Sequence, residues 1–130
     1  MAEDTVQNAR ITSTFLGVED HGILTCVLRL DFGGSGQAVG QYALDMPVHE
    51  FGRFVGRRGT AKGMEFVRLI LSTLGVDAWE DLKGHLIRIK RGGEGRMVTA
   101  IGHIIEDRWL EFGRYWDNSK FVEAEKWKPN

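Results

Sequence analysis

The stretch Ile23-Leu24-Thr25-Cys26-Val27-Leu28-Arg29-Leu30-Asp31-Phe32, then Gly33-Gly34-Ser35-Gly36-Gln37, then Ala38-Val39-Gly40-Gln41-Tyr42-Ala43-Leu44, decides the fold class. Leu24, Cys26, Leu28, Leu30 and Phe32 alternate onto one face, the pattern of a half-buried strand. The glycine-rich segment then reads as a turn, and the run from Ala38 to Leu44 as the returning strand. Upstream, Arg10–Leu16 is rich in β-branched and apolar residues and reads as another strand. Asp20-His21-Gly22 suits the hairpin tip between the two. Three consecutive strands with short connections favour an antiparallel meander. Met1–Asn8 is polar and reads as a frayed end.

Downstream, Pro47 is expected to end the third strand. Phe51, Phe54 and Val55 have helical spacing and suggest a short helical turn over 48–55, although Gly52, Gly56 and Gly59 oppose it. A firmer helix runs from a Thr60 cap to about Leu74. Val67, Ile70, Leu71 and Leu74 form its apolar stripe, Phe66 flanks it, and Gly75 stands where a helix stops. Asp77-Ala78-Trp79-Glu80 resembles a capping box for one further turn. His85–Lys90 and Met97–Ile105 then read as a hairpin about the loop Arg91–Arg96. The tail from 113 to 130 is aromatic and is expected to dock on the core or on a second subunit. The fold class is α+β: a single domain with an antiparallel sheet of about five strands and one main amphipathic helix on a face.

Composition narrows the function classes. The 130 residues suit one domain, with 42% apolar and 27% charged residues. The net charge of −1 lacks the basic excess of a general DNA-binding domain, so nucleic acid is the less favoured partner. A lone cysteine cannot form an internal disulfide, which fits a reducing cytoplasm. No apolar run approaches the ~18 residues of a membrane span.

Two groups of residues could carry chemistry. Gly33, Gly34 and Gly36 let backbone amides converge, and Ser35 adds a hydroxyl, so the turn could seat a phosphate. It lacks both the G-x-x-x-x-G-K-[ST] and G-x-G-x-x-G patterns, and a plain flexible hairpin turn is the favoured account of it. Arg57 and Arg58, with Arg53 and Lys62, form one basic cluster. Arg88 and Arg91, with Lys90 and Arg96, form another. Guanidinium forks suit phosphate oxygens, while the alternative is a solvated rim. His21, His49, His85 and His103 show no metal-ligand spacing, so no metal or cofactor is expected. Cys26 sits in an apolar alternation and reads as an inert buried thiol. Nothing marks a nucleophile or a catalytic triad, so an enzyme is not expected. Trp79, Trp109, Trp116 and Trp127 could stack a base, but core or interface anchoring explains them as well.

Three stretches resemble a family of small proteins encoded by bacteriophages and prophages. They are Ile11–Ile23 together with Gly33–Gln37, then Trp79–Gly84 leading into a basic strand, then Ala100–Trp109. The resemblance covers most of residues 10 to 112 and carries no catalytic residues. It implies an accessory protein acting in a bacterial cytoplasm. By analogy, such a protein would inhibit host defence. It would do so by sequestering a phosphate-bearing nucleotide signal at Gly33–Gly36, Arg57, Arg58, Arg88 and Arg91, or by direct contact with a host defence enzyme. Self-association, with the aromatic tail as interface, would help sequestration by building pockets between subunits.

Overall fold

The computed structural model describes residues 5–92 and 96–117. Its main sheet has six strands in the order β3-β2-β1-β6-β7-β8, every pair antiparallel. These are β1 (Thr5–Val18), β2 (Leu24–Phe32), β3 (Ser35–Val39), β6 (Leu86–Gly92), β7 (Met97–Gly102) and β8 (Trp109–Glu111). Between β3 and β6 the chain makes an excursion. It forms a separate two-stranded sheet, β4 (Asp45–Glu50) and β5 (Arg53–Gly59), followed by helix α1 (Ala61–Leu74). A short helix, α2 (Phe112–Asp117), follows β8.

The α+β class and the order of the β1–β2–β3 meander agree with the sequence pattern, because strict alternation on β2 leaves one register that buries its apolar face. The returning strand, expected over Ala38–Leu44, is instead Ser35–Val39, since the turn takes only Gly33 and Gly34. Several expectations are corrected. The sheet has six strands, with two more outside it, where about five were expected. Thr5–Asn8 is not frayed; it pairs with Arg88–Arg91 of β6. The segment 48–55 is a hairpin, not a helical turn. Pro47 lies inside β4 opposite Arg57, tolerated because each strand of a two-stranded ribbon has a free edge. The turn at 79–81 is capped by Ala78 without a side-chain hydrogen bond, so Asp77 forms no capping box. The strand expected to reach Ile105 ends at Gly102, and β8 adds a three-residue edge. Of the expected aromatic tail, 113–117 lies in α2, and 118–130 lies outside the described residues.

The core lies between the curved sheet and α1. Cys26, Leu28, Leu30 and Phe32 of β2 meet Ile11 of β1, Ile87 and Ile89 of β6, and Phe66, Ile70 and Leu74 of α1. The helix is turned further toward Phe66 than its stripe suggested: Phe66 is fully buried, whereas Val67 and Leu71 are partly exposed. Tyr42, Tyr115 and Trp116 close the core beside it, with Tyr42 and Trp116 stacked at 4.9 Å. The sheet curls until edge strand β3 approaches β7, where the Val98 N–H donates to Gln37 Oε1 at 3.1 Å. Curling places the β2–β3 turn and the end of β6 at one end of the molecule. The β1–β2 turn and the root of the β4–β5 arm occupy the other.

Helix α1 begins where the arm ends, and one carbonyl ties them. The Thr60 hydroxyl donates to Leu44 O at 2.9 Å and accepts the Gly63 N–H at 2.9 Å. The Thr60 N–H donates to the same carbonyl at 3.3 Å. This cap supplies one of the partners that a helix start leaves wanting, and it also clamps the two ends of the arm together. At the far end Gly75 takes φ +77° and its N–H returns to Leu71 O at 2.9 Å.

Candidate functional site

The residues expected to seat a phosphate are divided between the two ends. The glycine segment reduces to a two-residue turn, Gly33-Gly34, with φ of +74° and +87°. Both angles are left-handed, which matches the twist of a tight hairpin and accounts for both glycines. Ser35 and Gly36 belong to β3, paired with Phe32 and Asp31. A side chain at Gly33 or Gly34 would meet no atom within 4 Å, so the turn stands open to solvent.

Arg91 lies close to this turn. Its guanidinium stacks 4.7 Å from the Phe32 ring centre, its Nε donates to Arg96 O at 3.1 Å and its Nη1 donates to Gln7 Oε1 at 3.1 Å. Arg96 in turn donates to Thr5 Oγ1. Arg88 donates from Nε to His103 O and from Nη2 to Glu106 O, both at 2.7 Å, while covering the Trp109 ring at 5.0 Å. It serves the connection between β7 and β8. Arg57 is at the opposite end, where its Nη2 lies 2.9 Å from Asp45 Oδ1. The hydrogen bond from Arg57 is the main reason the Asp45 carboxyl is held below its ordinary range. Burial opposes that shift, and the Leu24 N–H at 3.1 Å adds to it. Arg58 is exposed on β5 opposite Met46. The structure therefore brings Arg91 to the Gly33-Gly34 end and separates Arg57 and Arg58 from it. Three of the four arginines already bind groups of their own chain.

Three cavities lined by described residues open to solvent, and none of these three is lined by any of the eight residues. A cleft of about 710 Å³ at the β1–β2 turn is lined by Val18, Glu19, Asp20, Ile23 and Ala43, among others. One of about 400 Å³ lies between Trp109, Arg114 and Tyr115. A narrower apolar groove of about 190 Å³ runs between Leu16, Leu44, Met64 and Val67.

The feature that the sequence reading missed is the β4–β5 arm. No residue from 45 to 59 is buried. Phe51 and Gly52 form its tip with φ of +52° and +77°. Phe51 is 103% exposed, Phe54 59%, Val55 52% and Met46 42%. His49 and Phe54 face each other across the strands with ring centres 5.9 Å apart. Val55 is the extra residue of a bulge between the Val48 and His49 pairings, and a bulge sharpens the local twist. An aromatic at a left-handed position is unusual, since that conformation favours Gly, Asn or Asp. The signal available in the sequence was Phe51-Gly52 flanked by β-branched and aromatic residues, with glycines that weaken a helix.

Comparison of the chain with protein-family models, with curated proteins and with solved structures finds no match. Among the described residues no helix is long and apolar enough to cross a membrane.

Proposed function

We propose that this protein acts by docking on another protein through the β4–β5 arm, as an accessory protein that blocks a host enzyme by contact. Phe51 carries the reading. Leaving a phenyl ring wholly in water at a turn is unfavourable on both hydrophobic and backbone grounds, and burial in an interface relieves the first. Phe54, Val55 and Met46 extend the apolar surface, and Arg53 and Arg58 border it, the aromatic-plus-arginine composition of interface centres. The test is quantitative capture from a bacterial lysate by the wild-type chain and by Phe51→Asp. A host protein enriched by the first and lost with the second supports docking. Identical captures by both would overturn it.

A second reading keeps one observation in its favour. The stacking of Arg91 on Phe32 places a cation beside the Gly33-Gly34 turn, so a phosphate-bearing ligand could be held at that end. Calorimetric titration with cyclic and linear nucleotides separates the two. Heat that vanishes in Arg91→Ala and persists in Phe51→Asp supports ligand capture, and absence of heat with every nucleotide removes it.

A further inference from the structure

The surface of the chain itself offers an acceptor for the tip of the arm. We infer that the arm of one copy docks in the Val18–Ala43 cleft of a second copy, and that the exchange is reciprocal about a two-fold axis. This inference rests on the arm being a docking element.

Chemistry matches tip to cleft. The lining offers Val18, Ile23 and Ala43 to the Phe51 ring and carries Glu19 and Asp20, with no cation among the described lining residues. Arg53, two positions beyond Phe51, is exposed and makes no ion pair among the described residues. Glu50 faces it across the arm, so the tip presents one cation beside one carboxylate toward two carboxylates. A volume of about 710 Å³ is ample for a phenyl ring and a guanidinium.

Geometry selects the second copy. The cleft adjoins the root of the arm in the same chain. Asp45, the first residue of β4, receives the Leu24 N–H at 3.1 Å, and a side chain at Gly22 would lie 4.0 Å from Arg57 Cδ. Six residues of extended strand carry the tip about 20 Å from that root, so a hairpin clamped at its base cannot return its tip to its own cleft. Two arms laid antiparallel place each tip at the other's root. That arrangement is self-complementary and closed. Burying Phe51 and Phe54 covers on the order of 300–400 Å² of arm. Two such arms bring about 600–800 Å² toward the roughly 1,600 Å² that a standard interface buries.

The experiment is sedimentation analysis of the full chain over a concentration series, with circular dichroism confirming that each variant is folded. The wild type is expected to dimerise. Phe51→Asp and Arg53→Glu are expected to shift the chain to monomer. Adding Glu19→Arg and Asp20→Arg to Arg53→Glu should restore the dimer, which a merely structural effect would not do. A wild type that stays monomeric throughout overturns self-docking but leaves the arm free for a different protein. A dimer indifferent to Phe51→Asp also overturns it. A Phe51-dependent dimer that captures no host protein would sustain this inference while removing the host-docking reading.

Discussion

The Arg57 guanidinium and the Asp45 carboxylate meet at 2.9 Å across the root of the arm, and Asp45 also accepts the Leu24 N–H at 3.1 Å. One carboxylate thus joins β2, β4 and β5. Its pKa is held below the ordinary 3.8, chiefly by the hydrogen bond from Arg57. A depressed carboxyl pKa stabilises the fold above the unfolded value and loses that contribution as pH falls through the folded value. Asp45→Asn keeps an acceptor for Leu24 but removes the charge. Urea unfolding should therefore show the wild type ahead of the variant near neutrality, with the gap closing as pH falls below 3.8. A gap that stays constant into acid would show that the ion pair contributes nothing.

Gly63 is the second lever. It lies in the first turn of α1, beside the arm root, and a Cβ there would lie 2.7 Å from both the Leu44 carbonyl carbon and Cα. Helix propensity alone predicts that Gly63→Ala stabilises by up to about 1 kcal/mol. Overpacking against backbone opposes this and wins, because the Leu44 carbonyl is already held by Thr60 and cannot move away. The expected loss is about 3 kcal/mol in chemical denaturation. Gly113→Ala in α2 is the control: it meets nothing within 4 Å, and no loss is expected.

These two positions show what the sequence could and could not disclose. The β1–β3 meander and α1 with both caps were legible, because alternation, helical spacing, Thr60 and Gly75 are local signals. The arm was not. Phe51, Phe54 and Val55 fit a helical face as well as a hairpin, and the bulge at Val55 breaks the alternation that would have separated the two. Strand β8 has only three residues, and Gly102 lets the Trp109 ring lie across it, where a Cβ would be 2.5 Å away. The basic clusters misled for a related reason. Partner choice is long-range: Arg57 turns to Asp45, Arg88 to His103 and Glu106, and Arg91 to Gln7. Residues read as available guanidinium forks are largely spent on their own chain.

Cys26 was legible as a buried thiol and yields a chemical prediction. It is fully enclosed, with Sγ 3.7 Å from Gly40 O, and burial pushes its pKa from 9.0 up to about 12. The thiolate is the reactive species, so a thiol reagent at pH 8 should leave the native chain unmodified and label it only after unfolding. Because the folded pKa is raised, stability is unaffected by this group below 9.0 and falls as pH rises from there toward about 12. Rapid labelling of the native chain would mean that β2 opens locally without global unfolding.

Phe51 tests whether the arm is kept for contact or for stability. The residue sits at φ +52° with its ring entirely in solvent, so it contributes nothing to its own fold by packing. Asparagine tolerates that conformation better and suits the first position of a tight hairpin turn ahead of Gly52. Phe51→Asn should therefore leave the midpoint of thermal unfolding unchanged or raise it. The same variant should lose whatever association the wild-type arm supports, measured by sedimentation and by capture. Gain in one assay with loss in the other is the signature of a side chain held at that tip for a partner. A fall in stability in Phe51→Asn would instead show that the ring packs within its own chain, and the docking arm would have no anchor.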